Sequence, residues 1–206
     1  MPLLSDEDRE AIRGHFDLMT EDVTVTLTKA PGKCETETIL TELSELSSGL
    51  TVNIVESKKE SAMLPSLSIG NTGRLIFRGI PSGYEFSSLL TGIIDSGRTE
   101  KTLSDETMAF LDNLDGELHI KVFVTPSCPH CPSSVVLAHR LAAYSDRVVA
   151  EAIEANEFPE LSMKYQVQGV PRTVINETYA VEGSQPESYL INGLKNHMQT
   201  ETEKQD

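Results

Sequence analysis

Along this chain the spacing of apolar positions switches between a helical and a strand period, and each switch marks an element. Ser5 stands before the acidic run Asp6-Glu7-Asp8, and Ile12, Phe16 and Met19 follow at helical spacing. The chain therefore opens on a helix, with Ser5 as N-cap and carboxylates at the positive end of the helix dipole. Val23-Thr24-Val25-Thr26-Leu27 then alternates apolar and polar residues, as a half-buried strand does. A turn at Pro31-Gly32 leads to Cys34, and Ile39, Leu40, Leu43 and Leu46 form a helical stripe. Val52 to Val55 reads as a strand, Leu64 to Ile69 as a strand opened by a proline, Asn71-Thr72-Gly73 as a hairpin turn and Leu75-Ile76-Phe77 as its return. After Gly79, the run from Tyr84 to Ile94 closes this half as a helix.

The same order then recurs. Ile120 to Val124 is a strand, Cys128 to Cys131 a turn, and Val135, Ala138, Leu141 and Ala142 mark a helix. Val148 to Ile153 is the second strand, Val170 to Ile175 again a strand opened by a proline, and Tyr179-Ala180-Val181 its return. Gly183 and a helix from Pro186 to about His197 complete it. Cys34 matches Cys131, Pro65 matches Pro171, Gly79 matches Gly183, and Leu89 and Leu194 sit in equivalent closing helices. The second half carries a longer segment, around Glu154 to Gln168, before its proline. Two units are too few for a solenoid and fit two fused α/β folds, each a central mixed sheet flanked by helices. The expected layout is a first unit over 1–100, a connecting helix over 101–117, a second unit over 118–198 and a frayed polar tail over 199–206.

Composition narrows the functional classes. The 206 residues suit two small domains, and 38% hydrophobic with 24% charged residues is ordinary for a globular protein. Asp and Glu number 32 against 17 Lys and Arg, a net charge of -15. Such a surface repels nucleic acid and anionic lipid, so neither is an expected partner. Proteins kept soluble at high salt show the same acidic balance. The start of the chain is polar and acidic, without the basic and apolar regions of a secretory signal, and no apolar run approaches a membrane span. The expected location is cytoplasmic.

Three cysteines, Cys34, Cys128 and Cys131, are too few for a disulfide-stapled scaffold. In the run Thr125-Pro126-Ser127-Cys128-Pro129-His130-Cys131-Pro132 the pair lies between a strand and a helix. Cys128 is expected at or near the helix N-cap, with Pro129 in the first helical position. Free N–H groups and the dipole there stabilise a thiolate, the nucleophile of disulfide exchange. Cys131, in the same turn and more buried, can attack a mixed disulfide on Cys128 and release the partner. His130 offers a cation beside the thiolate. Val170-Pro171 is expected to face this turn through a cis peptide bond, presenting the Val170 backbone to an extended client segment. Half of a zinc site is the competing reading of a lone C-x-x-C. Zinc takes four ligands, however, and no second Cys or His pair accompanies this one. Inert packing is the other alternative, and neither metal nor cofactor is expected.

These residues resemble the protein disulfide oxidoreductases of archaea and thermophiles, glutaredoxin-like proteins with two thioredoxin folds in tandem. The resemblance rests on Val122 to Pro132, Glu151-Ala152-Ile153-Glu154, Phe158-Pro159-Glu160, Val170-Pro171, Gly79 to Phe86 and Asp105-Glu106-Thr107. It implies oxidation, reduction or isomerisation of protein disulfides, with Cys128 attacking, Cys131 resolving, and a separate thioredoxin-reductase-like partner. The Pro129-His130 dipeptide is that of strong oxidants of the DsbA type, which implies a less reducing poise than thioredoxin. Family members carry a dithiol in each half, whereas here Pro31-Gly32-Lys33-Cys34 puts Pro31 in the attacking place. A similar loss marks the N-terminal domain of the flavoprotein that reduces alkyl hydroperoxide reductase. That parallel implies an alternative, a dithiol shuttle from a reductase to a peroxiredoxin. A metal-binding or redox-inert adaptor is the alternative from another class. Cys34 is either an inert core thiol or a lone reactive one helped by Lys33.

Overall fold

The computed structural model describes residues 3–57, 63–100 and 102–203. Its first element, α1 (Asp6–Phe16), begins at a capping box in which Ser5 accepts from the Asp8 N–H and the Asp8 carboxylate accepts in return. Then follow β1 (Val23–Lys29), α2 (Glu35–Ser44), β2 (Leu50–Glu56), β3 (Ser66–Ile69), β4 (Leu75–Arg78) and α3 (Glu85–Ser96). A linking helix α4 (Asp105–Asp112) leads to β5 (Leu118–Val124), α5 (Cys131–Tyr144), β6 (Val148–Glu154), α6 (Pro159–Lys164), β7 (Arg172–Ile175), β8 (Tyr179–Glu182) and α7 (Glu187–Glu203).

The two halves are one plan used twice. In each, the first strand pairs in parallel with the second and antiparallel with the third, and the third forms a hairpin with the fourth. Loop bonds repeat too. Gly79 N–H donates to Pro65 O at 2.9 Å, and Gly183 N–H to Pro171 O at 2.8 Å. Ser57 N–H donates to Lys29 O at 2.8 Å, and Ala155 N–H to Val124 O at 2.9 Å. Both prolines follow cis peptide bonds, Leu64–Pro65 and Val170–Pro171.

Rather than two separate sheets, the halves build one of eight strands in the order β2-β1-β3-β4-β6-β5-β7-β8. The joint is a parallel pairing of β4 with β6, Leu75 beside Ala150 and Arg78 beside Ile153. One continuous core lies on one side of this sheet, from Ile12 and Phe16 of α1 through Val25, Leu27 and Phe77 to Ile120, Val122 and Leu194. Because strand side chains alternate, Phe123, Ile153 and Val174 face the other side. There they pack with Phe158 and Tyr165, which flank α6. The six residues of α6 lie in the longer segment of the second half and give that half a cover on its second face. In the first half the same face carries the half-buried Thr24, Thr26 and Thr28.

One boundary differs from the sequence reading. The final helix runs on to Glu203, through the residues expected to fray, because nothing between His197 and Glu203 breaks it: there is no glycine or proline. Residues 204–206 of that expected tail, and residue 101 at the start of the expected connection, lie outside the described residues. No helix among the described residues is long and apolar enough to cross a membrane.

Candidate active site

β5 runs straight into the site, its last residue Val124 fully buried. Cys128 N–H turns back to Thr125 O at 3.1 Å, and Cys131 N–H reaches Cys128 O at 3.4 Å. These two turns bring the sulfurs together. Cys128 and Cys131 form a disulfide with Cα atoms 5.5 Å apart, a separation ordinary for such a bond. Both are buried, Cys131 at 0% exposed and Cys128 slightly less enclosed at 8%.

The helix start is shifted from expectation. His130, not Cys128, is the N-cap, and Cys131 rather than Pro129 is the first helical residue. Pro132 explains the shift. Were Cys128 the cap, its carbonyl would accept the first helical bond from residue 132, and proline has no N–H to give. Cys128 thus sits two residues ahead of the N-cap, outside the helix. Pro129 and His130 are exposed on the outside of the turn, and Ser133 Oγ donates to the His130 carbonyl at 2.8 Å.

The Val170–Pro171 peptide bond is cis, and the Val170 carbonyl lies beside the dithiol. Cys128 Sγ is 3.7 Å from Val170 O, a contact rather than a hydrogen bond while the sulfur is in the disulfide. Ser133 Oγ and Ser184 Oγ, 2.7 Å apart, tie the helix start to the loop after Gly183.

Cys34 is separate from this site and different from it. It is a free, partly buried thiol and the N-cap of α2, with no side-chain cap bond. Pro31 occupies the place of Cys128, and the loop is held from below by a cation. Lys29, buried at the end of β1, donates to Gly32 O at 2.7 Å and pairs with Glu56 at 3.0 Å and Glu37 at 3.2 Å. The equivalent residue in the second half is the apolar Val124.

The first half nonetheless reaches the dithiol loop. Gly83 has φ of +60°, and a side chain there would run into the Pro126 carbonyl. With that space open, Tyr84 N–H donates to Pro126 O at 3.0 Å. The next residue, Glu85, is fully buried at the start of α3. Ser88 Oγ donates to its Oε2 at 2.7 Å, while Oε1 has no partner. Burial pushes its carboxyl up to about 7, with the Ser88 bond pulling slightly the other way. Glu85 therefore exchanges a proton near neutral pH, one residue from the contact with the loop. Sequence reading missed it, because a glutamate opening a helix usually faces solvent; the only signal was its place between Gly83-Tyr84 and Phe86. Deeper in the same joint, His139 Nε2 meets Ile76 O at 3.2 Å, and burial holds its pKa down at about 4. Among the described residues no three His, Cys, Asp or Glu side chains cluster as metal ligands.

This fold and this dithiol define a thioredoxin-fold, thiol–disulfide oxidoreductase-like protein. The thioredoxin domain profile matches residues 118–195, the dithiol-bearing half. Over the whole plan, the chain is similar to the N-terminal domain of the alkyl hydroperoxide reductase AhpF from Enterococcus faecalis, with a TM-score of 0.84, 26% identity, and 93% of this chain and 99% of that one covered. It is also similar to a protein disulfide oxidoreductase from Aeropyrum pernix, with a TM-score of 0.82, 29% identity, and 91% and 90% covered. The corresponding alkyl hydroperoxide reductase of Staphylococcus aureus is 30% identical over 149 residues, which span 69% of this chain and 27% of that protein. The chain thus spans about a third or less of the length of the curated relatives it matches.

Proposed function

We propose that this protein exchanges disulfides with protein clients through a single dithiol, Cys128 attacking and Cys131 resolving. The observation that carries this reading is the Cys128–Cys131 disulfide itself, with Cys128, beside Val170 O, the less enclosed of the two cysteines. In the reducing direction the Cys128 thiolate attacks a client disulfide, forming a mixed disulfide and expelling one client thiolate. Cys131 then attacks Cys128 Sγ, the second client thiolate leaves, and the Cys128–Cys131 disulfide is restored. A separate dithiol reductase resets the pair with two electrons. In the oxidising direction the steps reverse. The backbone at Val170, ahead of Pro171, is where an extended client segment would pair.

Catalysed reduction of insulin by dithiothreitol tests this. Cys128→Ser is expected to abolish the catalysis and Cys34→Ser to preserve it, while Cys131→Ser should trap clients as mixed disulfides. Full activity in Cys128→Ser would sink the assignment.

The similarity to alkyl hydroperoxide reductases supports a more specific version, in which the client is a peroxiredoxin. Pro31 in the attacking place of the first half fits it as well, since it leaves exchange to one half. Hydroperoxide-dependent oxidation of the reduced protein in the presence of a peroxiredoxin, and not in its absence, is the corresponding measurement.

A further inference from the structure

We infer that Glu157 is a positioning residue for the dithiol, closing a ring of bonds around the base of the dithiol loop by way of the first half; the inference rests on the exchange reading above. From Val124, the last residue of β5, one arm of the ring follows the chain to Pro126, whose carbonyl accepts from Tyr84 N–H at 3.0 Å. The other arm leaves through Val124 O, which accepts from Ala155 N–H at 2.9 Å, and reaches Glu157. Glu157 Oε1 accepts from Ile80 N–H at 2.6 Å, and the first-half loop from Ile80 to Tyr84 completes the circuit. Each link is held locally. Glu157 N–H donates to Oε2 of the buried Glu154 at 2.6 Å, and Ser82 N–H to Ile80 O at 2.8 Å. Gly79, at φ of +96°, permits the close approach, since a side chain there would strike the Glu157 carboxylate. Cys128 is tied to the ring through its N–H bond to Thr125 O at 3.1 Å.

Placement of this loop bears directly on the resolving step. There the Cys131 thiolate attacks Cys128 Sγ, forms the internal disulfide and expels the partner sulfur as a thiolate. The rate and the equilibrium of such a step both follow the effective concentration of one sulfur at the other. Cys131 begins α5 and is fully enclosed, so its position is that of the helix. Cys128 lies ahead of the helix, so its position is that of the loop. Without the Glu157 carboxylate, Ile80 N–H loses its acceptor, the first-half loop is held at one end only, and Cys128 samples more positions relative to Cys131. Glu157 is itself exposed, so removing its side chain opens no cavity.

The test equilibrates wild type, Glu157→Ala, Glu157→Gln and Arg74→Ala with glutathione and glutathione disulfide. Arg74 and Asp146, 2.6 Å apart, join the halves ahead of β4 and β6, whereas Ile80 and Glu157 join them beyond those strands. Arg74→Ala therefore loosens the joint and spares the ring. In Glu157→Ala the equilibrium constant for the internal disulfide should fall about tenfold, with the Cys128–glutathione mixed disulfide accumulating. Insulin reduction by this variant should lose kcat rather than raise KM. Glutamine keeps an acceptor for Ile80 N–H, so Glu157→Gln should stay near wild type, as should Arg74→Ala. An unchanged constant in Glu157→Ala overturns the inference. An equal fall in Arg74→Ala also overturns it, by assigning the effect to the joint at large, and an equal fall in Glu157→Gln does so by assigning it to the lost charge. A wild type that forms no internal disulfide under these conditions overturns instead the exchange reading on which the inference rests.

Discussion

Glu85 is buried at the joint between the halves without a cation to balance it, and its titration couples to stability. The folded state keeps its proton up to about pH 7, whereas the unfolded chain gives it up near 4.5. Between those values the native state binds more protons, so this contribution falls as pH rises through the window and levels off above it. Glu85→Gln is expected to stabilise the protein at pH 8 by on the order of 1–3 kcal/mol. The gain should shrink towards pH 4.5, as thermal unfolding at both pH values would show; an equal shift at both would exclude titration as its cause. His139 acts in the opposite sense. The unfolded chain takes up this proton near 6.5 and the folded state only near 4, so the contribution of His139 is lost as pH falls between them. The two groups narrow the stable range from both sides.

At the level of elements, the joint between β4 and β6 carries an ion pair. Arg78 Nε donates to Glu151 Oε1 at 3.0 Å, and His119 Nε2 lies 3.3 Å from Glu151 Oε2. Burial alone would push the Glu151 carboxyl up, yet the His119 and Arg78 interactions prevail and hold it at about 2. Arg78→Ala leaves this carboxylate buried and short of a partner, at an expected cost of about 3 kcal/mol in denaturant unfolding. Replacing both residues by apolar ones of similar size should recover part of that loss; no recovery would mean that the charges were not the cause. This joint was not legible in the sequence. Each half announced itself through local punctuation, such as Pro65 and Pro171 before matching strands and Gly79 and Gly183 after matching hairpins. A parallel pairing between strands of different halves has no local signature. The short α6 was hidden for a related reason, since its cover comes from Phe158 and Tyr165 at its ends rather than from an apolar stripe. The dithiol was plain from its spacing. The helix start beyond it was displaced by Pro132, whose missing N–H outweighs the preference of a cysteine or proline for the helix entrance.

For the molecule as a whole, the repeated plan sets what stands at its two outer edges. By the strand registers β8 is the counterpart of β4, and β2 the counterpart of β6. The two strands that meet in the middle thus have equivalents with no neighbouring strand beyond them among the described residues, one at each end of the sheet. Such a molecule is two links of a ribbon whose free ends match each other, head to tail. What differs is the fastening. The equivalents of Arg78 and Glu151 are Glu182 and Asn53, so the ion pair of the inner joint has no analogue at the ends. The net charge of -15 also keeps copies apart. Installing the fastening through Glu182→Arg with Asn53→Glu should therefore promote concentration-dependent, head-to-tail oligomers at high salt, read by sedimentation. If that pair of changes leaves the sedimentation unchanged, shape alone, and not missing charge, terminates the ribbon at two links.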